Sequence, residues 1–193
     1  MKRGATKEEI IRTTQDLITR NGIRAVRVDE IAQRLGISKR TLYEMFADKN
    51  DLISACLDDL ARRQRQRIAA NRRRRSGNPL QRTLRLANDY IDSLYTVDHS
   101  FLADIRRKVL FAEQYDEHRE FWRKELSLNL EECRGGGLLL SEIDTAALAE
   151  QLMSTLFELR LNRTTREELY LLCRTILRGA ATQQGIDLID RKP

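Results

Sequence analysis

The stretch VDEIAQRLGISKRTLYEMF, Val28 to Phe46, decides how the rest of the chain is read. Val28, Ile31, Ala32 and Leu35 recur at helical spacing, Gly36 offers the left-handed residue that ends such a helix, and Ile37 plugs the corner. Ser38 is a good N-cap for a second helix. In it Leu42 and Phe46 stand four apart and point inward, Arg40 and Glu44 point outward, and Lys39, Thr41 and Tyr43 lie on the flanks. The pattern is a helix-turn-helix. A short helix with an anchored back and a polar, basic front fits the major groove of DNA, where Arg or Lys reads guanine and Glu accepts from cytosine. Any small helical hairpin has apolar corners and wet faces. What favours DNA is the conjunction of small Ala32, the Gly36-Ile37-Ser38 corner, an aromatic-ended second helix and a fresh cap at Asp48.

From Thr6 to Ile53 the chain resembles the DNA-binding domain of the tetracycline-repressor-like, or TetR-type, family. The most specific part is S-K-x-T-L-Y-x-x-F, standing at Ser38 to Phe46, followed by D-K-x-D-L at Asp48 to Leu52. The remainder agrees with the family in length and helical pattern. The resemblance implies an all-α protein with a three-helix DNA-binding domain over residues 1–50 and a larger helical effector-binding and dimerisation domain over 51–193.

Matched residue by residue, the family's phosphate contacts fall on Ser38, Tyr43 and Lys49. The two hydroxyls donate, and Lys49 sits at a helix start that already favours anions. The base-reading positions are Lys39, Arg40, Thr41 and Glu44. Solvation is the other reading of Lys39 and Arg40, and a partial core role that of Tyr43. Arg27 departs from the family, which usually has Ser or Thr there to cap the helix and touch phosphate. Arg27 has no acceptor for the cap but is a strong phosphate donor.

The whole chain of 193 residues is long enough for a sizeable core, and two Pro and nine Gly among many Leu, Arg, Glu and Ala point to a nearly all-helical protein. Net charge is +6, unevenly spread: residues 1–76 carry 19 Lys and Arg against 10 Asp and Glu, and residues 77–193 carry 16 against 19. The basic end is expected to face the anion. Cys56, Cys133 and Cys173 are odd in number and far apart, which argues against a disulfide framework and for a reducing cytoplasm. No apolar run is long enough to span a membrane, and the basic start has no apolar signal segment.

In chain order, Lys2, Arg3 and Lys7 open a basic arm suited to phosphate or a minor groove, or simply to solvent. Thr6 with Glu9 makes a capping box, Ile10, Ile11, Leu17 and Ile18 form a buried stripe, and Gly22 ends the first helix. Asp48 caps a long helix whose far half holds eight Arg between Arg62 and Arg75. That run is either a second nucleic-acid or membrane-surface stripe or a solvated face with Arg stems over a neighbour. Gly77, Asn78 and Pro79 break the chain and start a helix with Leu80, Leu84, Ala87, Ile91 and Leu94 as its stripe. One helical stretch follows from about Ser100, carrying Phe101, Ile105, Val109 and Ala112. Another runs from about Glu117 to Cys133, and Gly135 to Gly137 form a flexible break.

The aromatics of this middle region include Tyr90, Phe101, Phe111 and Trp122. With Arg106 and Phe157 these are the candidate lining of an effector site, in the region where the family binds one; aromatics at helical spacing are also ordinary core. His99 and His118 are the only histidines, so neither a metal site nor a catalytic constellation is expected. Two final helices are expected, capped by Asp144 and by Thr165 with Glu168. Their apolar residues lie on two sides, which suits a bundle shared with a second copy through Leu152, Leu156, Leu159, Leu169, Leu172 and Ile176; a purely intramolecular bundle is the other reading.

The function expected is a non-enzymatic, ligand-responsive transcriptional regulator without a cofactor. A cytoplasmic homodimer would repress from a pseudo-palindromic double-stranded operator, a small-molecule effector would release it, and the helix opening at Asp48 would be the lever. The alternative is a sequence-indifferent nucleic-acid packaging protein using the Arg run at 62–75, without an effector.

Overall fold

The computed structural model describes residues 5–73, 77–107 and 111–190. They form helices α1 (Lys7–Asn21), α2 (Val28–Leu35), α3 (Lys39–Tyr43), α4 (Lys49–Arg73), α5 (Pro79–Tyr95), α6 (His99–Arg106), α7 (Ala112–Gly135), α8 (Thr145–Leu161), α9 (Arg166–Gly179) and α10 (Gln183–Asp190). Among the described residues the only extended pairing is a single antiparallel bridge, Leu139 with Ala181.

The local signals act as expected. Thr6 and Glu9 satisfy each other's backbone at the start of α1, and Thr165 and Glu168 do the same for α9. Asn78 caps α5 with Pro79 in its first turn, and Asp144 caps α8. Asp48 accepts from Asp51 N at 2.8 Å while Asp51 accepts from Ala47 N at 2.9 Å, which anchors both sides of the α4 start. Each such cap contributes roughly 1 kcal/mol.

The chain divides into two compact units. The first holds the described residues up to Arg67 together with those of Val97–Asp116. Its core is built from Ile10, Leu17, Ile18, Ile31, Leu42, Phe46, Leu52, Ile53 and Cys56, with Phe101 and Leu102 from α6. The amide of buried Gln15 on α1 donates to Cys56 O on α4, and to the Asp59 carboxylate, each at 2.9 Å. The second unit holds residues 68–96 and 117–190 of those described. There α9 packs on α5, α8 and α10, and Trp122, Leu130, Leu152, Leu156, Leu169 and Leu177 fill the centre. Both α4 and α7 contribute residues to each unit.

Four expectations need correction. The helix from Ser100 is short: Asp98 caps it and it stops at Arg106, while Ala112 already belongs to α7, which begins before Glu117. Val109 lies outside the described residues. The glycine break after α7 is a bonded turn, since Gly137 N reaches Arg134 O at 3.0 Å and Leu138 N reaches Cys133 O at 2.9 Å. Two final helices become three: Thr182 N bonds Leu138 O at 3.1 Å, Ala181 leaves α9 for the bridge, and α10 follows. Finally, the second helix of the helix-turn-helix ends at Tyr43, although Phe46 N still reaches Leu42 O at 3.1 Å.

Candidate nucleic-acid interface

The corner between α2 and α3 is set by its backbone. Gly36 takes φ 63° and ψ 32°, the left-handed region a side chain resists, and Ile37 N returns to Ala32 O at 3.0 Å. Ser38 Oγ then accepts from Thr41 N at 3.1 Å and starts α3. Leu42 is wholly buried and Phe46 nearly so, which fixes the back of α3 on the core. Ser38, Lys39, Arg40, Tyr43 and Glu44 are left exposed on the front, and Thr41 is half-exposed.

Two ion pairs order that front. Lys39 Nζ lies 2.5 Å from Asp29 Oδ1 on α2, and Arg40 Nε lies 3.1 Å from Glu44 Oε1. All four side chains are more than half exposed. Exposed pairs of this kind contribute ~0.2–1 kcal/mol, so their effect is on where the cations point more than on folding. Asp29 carries no mark of this role in the sequence. Its pairing depends on how α2 crosses α3, and spacing alone carries no sign of it.

The remaining DNA-side candidates fall as follows. Arg27 occupies the cap position of α2 with no side-chain cap bond, so that helix lacks a polar cap. Lys49 opens α4. Lys7 stands over the Phe46 ring, 4.9 Å from its centroid, on the anchored side of α3. Lys2 and Arg3 lie outside the described residues. In the Arg run, Arg62 and Arg63 both pair with Asp59, the latter at 2.7 Å. Burial alone would push the Asp59 carboxyl up, and the Gln15 amide with these two guanidinium groups holds it below its ordinary value. Arg65 and Arg67 are exposed. The side chains of Arg72 and Arg73, and the whole of Arg74 and Arg75, lie outside the described residues.

The effector candidates are split between units. Phe101, Arg106 and Phe111 belong to the first, with Phe101 buried, Arg106 exposed and Phe111 half-buried at φ 63°. Tyr90, Trp122 and Phe157 belong to the second and are buried. Tyr90 meets Trp122 edge-on with centroids 5.2 Å apart, and the indole N–H donates to His118 Nε2 at 3.1 Å. An indole only donates, so that histidine nitrogen carries the lone pair. Among the described residues no group of three His, Cys, Asp or Glu is placed to hold a metal ion, and no helix is long and apolar enough to cross a membrane.

The six residues offered for dimerisation divide as well. Leu152, Leu156 and Leu169 are buried in the second unit's own core, so they are not available to a partner. Leu159, Leu172 and Ile176 are half-exposed. Leu171, not singled out from sequence, is 66% exposed.

Residues 10–56 match the family model described as bacterial regulatory proteins of the tetR family. An uncharacterized HTH-type transcriptional regulator of Mycobacterium tuberculosis is 43% identical over 51 residues, 26% of this chain and 21% of that protein. The chain thus matches about a fifth of the length of its curated relatives. Solved structures resemble it over nearly the whole length. A transcriptional regulator of the TetR family from Agrobacterium tumefaciens superposes with a TM-score of 0.76 at 19% identity, covering 91% of this chain and 97% of that one. A TetR transcription regulator from Haloarcula marismortui gives 0.78 at 18%, covering 91% and 98%. A protein from Saccharomonospora viridis described as a transcriptional regulator, in complex with choline, gives 0.78 at 18%, covering 91% and 96%.

Proposed function

We propose that the chain is a TetR-type DNA-binding transcriptional regulator that binds a pseudo-palindromic operator as a cytoplasmic homodimer, represses from it, and is released by a small-molecule effector. The observation that carries the DNA end of this reading is the front of α3. Lys39, Arg40, Thr41 and Glu44 stand out from a back anchored by Leu42 and Phe46. Ser38, Tyr43, Lys49 and Arg27 flank them as phosphate donors, which position a helix in the groove without reading sequence.

A twofold dimer presents two such helices to half-sites about one DNA turn apart, ~34–36 Å. The part-exposed apolar residues Leu159, Leu171, Leu172 and Ile176 support a face for the second copy. The effector reading rests on the aromatic groups in residues 90–157 and on the fold's likeness to a regulator crystallised with choline. A coupling of ~1–3 kcal/mol between effector and DNA lowers operator affinity roughly 5- to 150-fold. Since α4 has residues in both units, it remains the lever we assign. The division of labour between residues 1–50 and 51–193 is part of the same proposal.

The packaging alternative is disfavoured by one observation: Arg62 and Arg63 are already engaged by Asp59.

The test is selection of bound duplexes from a random pool at fixed, near-physiological salt, with wild type and with Lys39, Arg40 and Tyr43 changed together to Ala. The proposal expects an inverted repeat that the triple variant loses. A pool without a motif, bound equally by both proteins, would return the Arg run to the leading place.

A further inference from the structure

Arg40 and Glu44 are four residues apart, and the bond between them uses a particular edge of the guanidinium group. Arg40 Nε donates to Glu44 Oε1 at 3.1 Å, which joins the two side chains directly. The bond to Glu44 is made through Nε, and the two terminal nitrogens form the other end of the group on a side chain that is 89% exposed. A guanidinium held through Nε keeps an end-on fork of two parallel donors, and that fork matches guanine O6 and N7 in the major groove.

Their places on α3 are unequal. Arg40 is the second residue of the helix, in the part that enters the groove first, whereas Glu44 is its C-cap. Four residues of helix put Glu44 ~6 Å further along the axis. A bare carboxylate there would meet a groove edged by phosphates. Bonded to Arg40, its charge is compensated and its geometric effect is to stop the long Arg side chain from swinging.

We propose that Glu44 is a positioning residue and not a base reader: by holding Nε of Arg40 it aims the terminal fork at a guanine, so the pair specifies one G·C base pair in each half-site. This rests on the reading of the chain as a sequence-specific DNA-binding regulator. It assigns the chemistry of one operator position, and it makes a carboxylate that faces DNA a determinant of guanine preference. Lys39, held by Asp29, lacks a planar fork and has no equivalent bidentate geometry.

The experiment is the same random-duplex selection with the full chain, comparing wild type, R40K, R40A, E44A and the R40A/E44A double variant, each first checked for an unchanged melting curve. Wild type is expected to prefer guanine at one position of the half-site by roughly tenfold or more. R40K and R40A lose that preference, and E44A weakens it at the same position while leaving the others alone. Once Arg40 is gone, adding E44A changes nothing further there, because both residues act through one contact. Loss of a cytosine preference at a different position in E44A overturns the proposal in favour of direct reading by Glu44. An E44A motif identical to wild type overturns it as well. A wild-type pool with no motif at all is a separate outcome, and it removes both the proposal and the regulatory reading beneath it.

Discussion

Asp104 on α6 accepts the backbone N–H of Arg24 at 3.1 Å through Oδ2, and its Oδ1 lies 3.5 Å from Arg24 Nε. The same region is tied again where Asp98 N donates to Thr19 O at 2.6 Å. Gly22 completes the seam, because at φ 83° a Cβ would approach Asp104 Oδ2 to 2.9 Å and the Ser100 Cβ to 3.1 Å. Together with the burial of Phe101 and Leu102, these bonds hold α6, a helix from the middle of the chain, against the helix-turn-helix.

Changing Asp104 to Ala is expected to cost about 1 kcal/mol, the net worth of a typical hydrogen bond. Gly22→Ala is expected to cost more, ~1–3 kcal/mol, since it adds a strained φ to a crowded contact. Urea unfolding of both variants measures this. Midpoints equal to wild type would mean that α6 is not held by this seam.

Helix α10 supplies a sharper test of packing. A Cβ at Gly185 would run into the Leu138 carbonyl oxygen, which is backbone and cannot swing aside, whereas one at Gly179 meets nothing within 4 Å. Gly185→Ala should therefore destabilise by at least ~1–3 kcal/mol. Gly179→Ala should be neutral or gain ~0.4–1 kcal/mol by restricting the unfolded chain. Thermal melts of the two single variants read the contrast, and a Gly185→Ala protein as stable as wild type would rule out the tight seating of α10.

The three cysteines predict a reactivity and a pH profile. Burial pushes the Cys56 thiol from 9.0 up to about 12, with the nearby Asp59 charge adding to it, and burial alone pushes Cys173 from 9.0 to about 12. Burial also raises Cys133. The folded protein thus holds these protons more tightly than the unfolded chain. The associated stability is fully present below pH ~9 and is lost as pH rises toward ~12, in the direction linkage requires. At pH 8 a thiol reagent should label the native protein slowly and all three sites readily in denaturant. Rapid native labelling, or stability that rises between pH 9 and 11, would contradict this burial.

Leu171 tests the proposed dimer. Replacing it with Glu puts a charge at an exposed position of α9 and should leave the monomer folded while raising the dissociation constant at least tenfold, read by sedimentation velocity. A variant that sediments as a dimer at the same concentrations as wild type would move the face elsewhere, with Leu128, also exposed, the next residue to change.

The pairing of Arg40 with Glu44 was open to inspection in the sequence, since residues four apart on a helix are neighbours. That of Lys39 with Asp29 was not, because nothing along the chain says how closely α2 approaches the start of α3. The same division runs through the fold. Thr6 with Glu9, Asn78 with Pro79, and Thr165 with Glu168 act within one helical turn, and each begins a helix where its residue type said it would. Helix α10 carries a weak signal in the sequence because QQGIDLID is short and has Gly185 in its first turn, a residue that lowers helix propensity but permits the approach to Leu138.

What the sequence determined by itself is therefore what depends on nearest neighbours: the caps, the left-handed Gly36, the outward front of α3 and the all-helical composition. The two-sided apolar pattern of α8 and α9 was equally visible, but which side was already occupied was not. Tertiary structure decided that, giving Leu152, Leu156 and Leu169 to the chain's own core and leaving Leu171 in water. Apolar burial has no direction and favours any partner that removes the surface from water. A sequence shows that such a face exists, and only the packed chain shows what covers it.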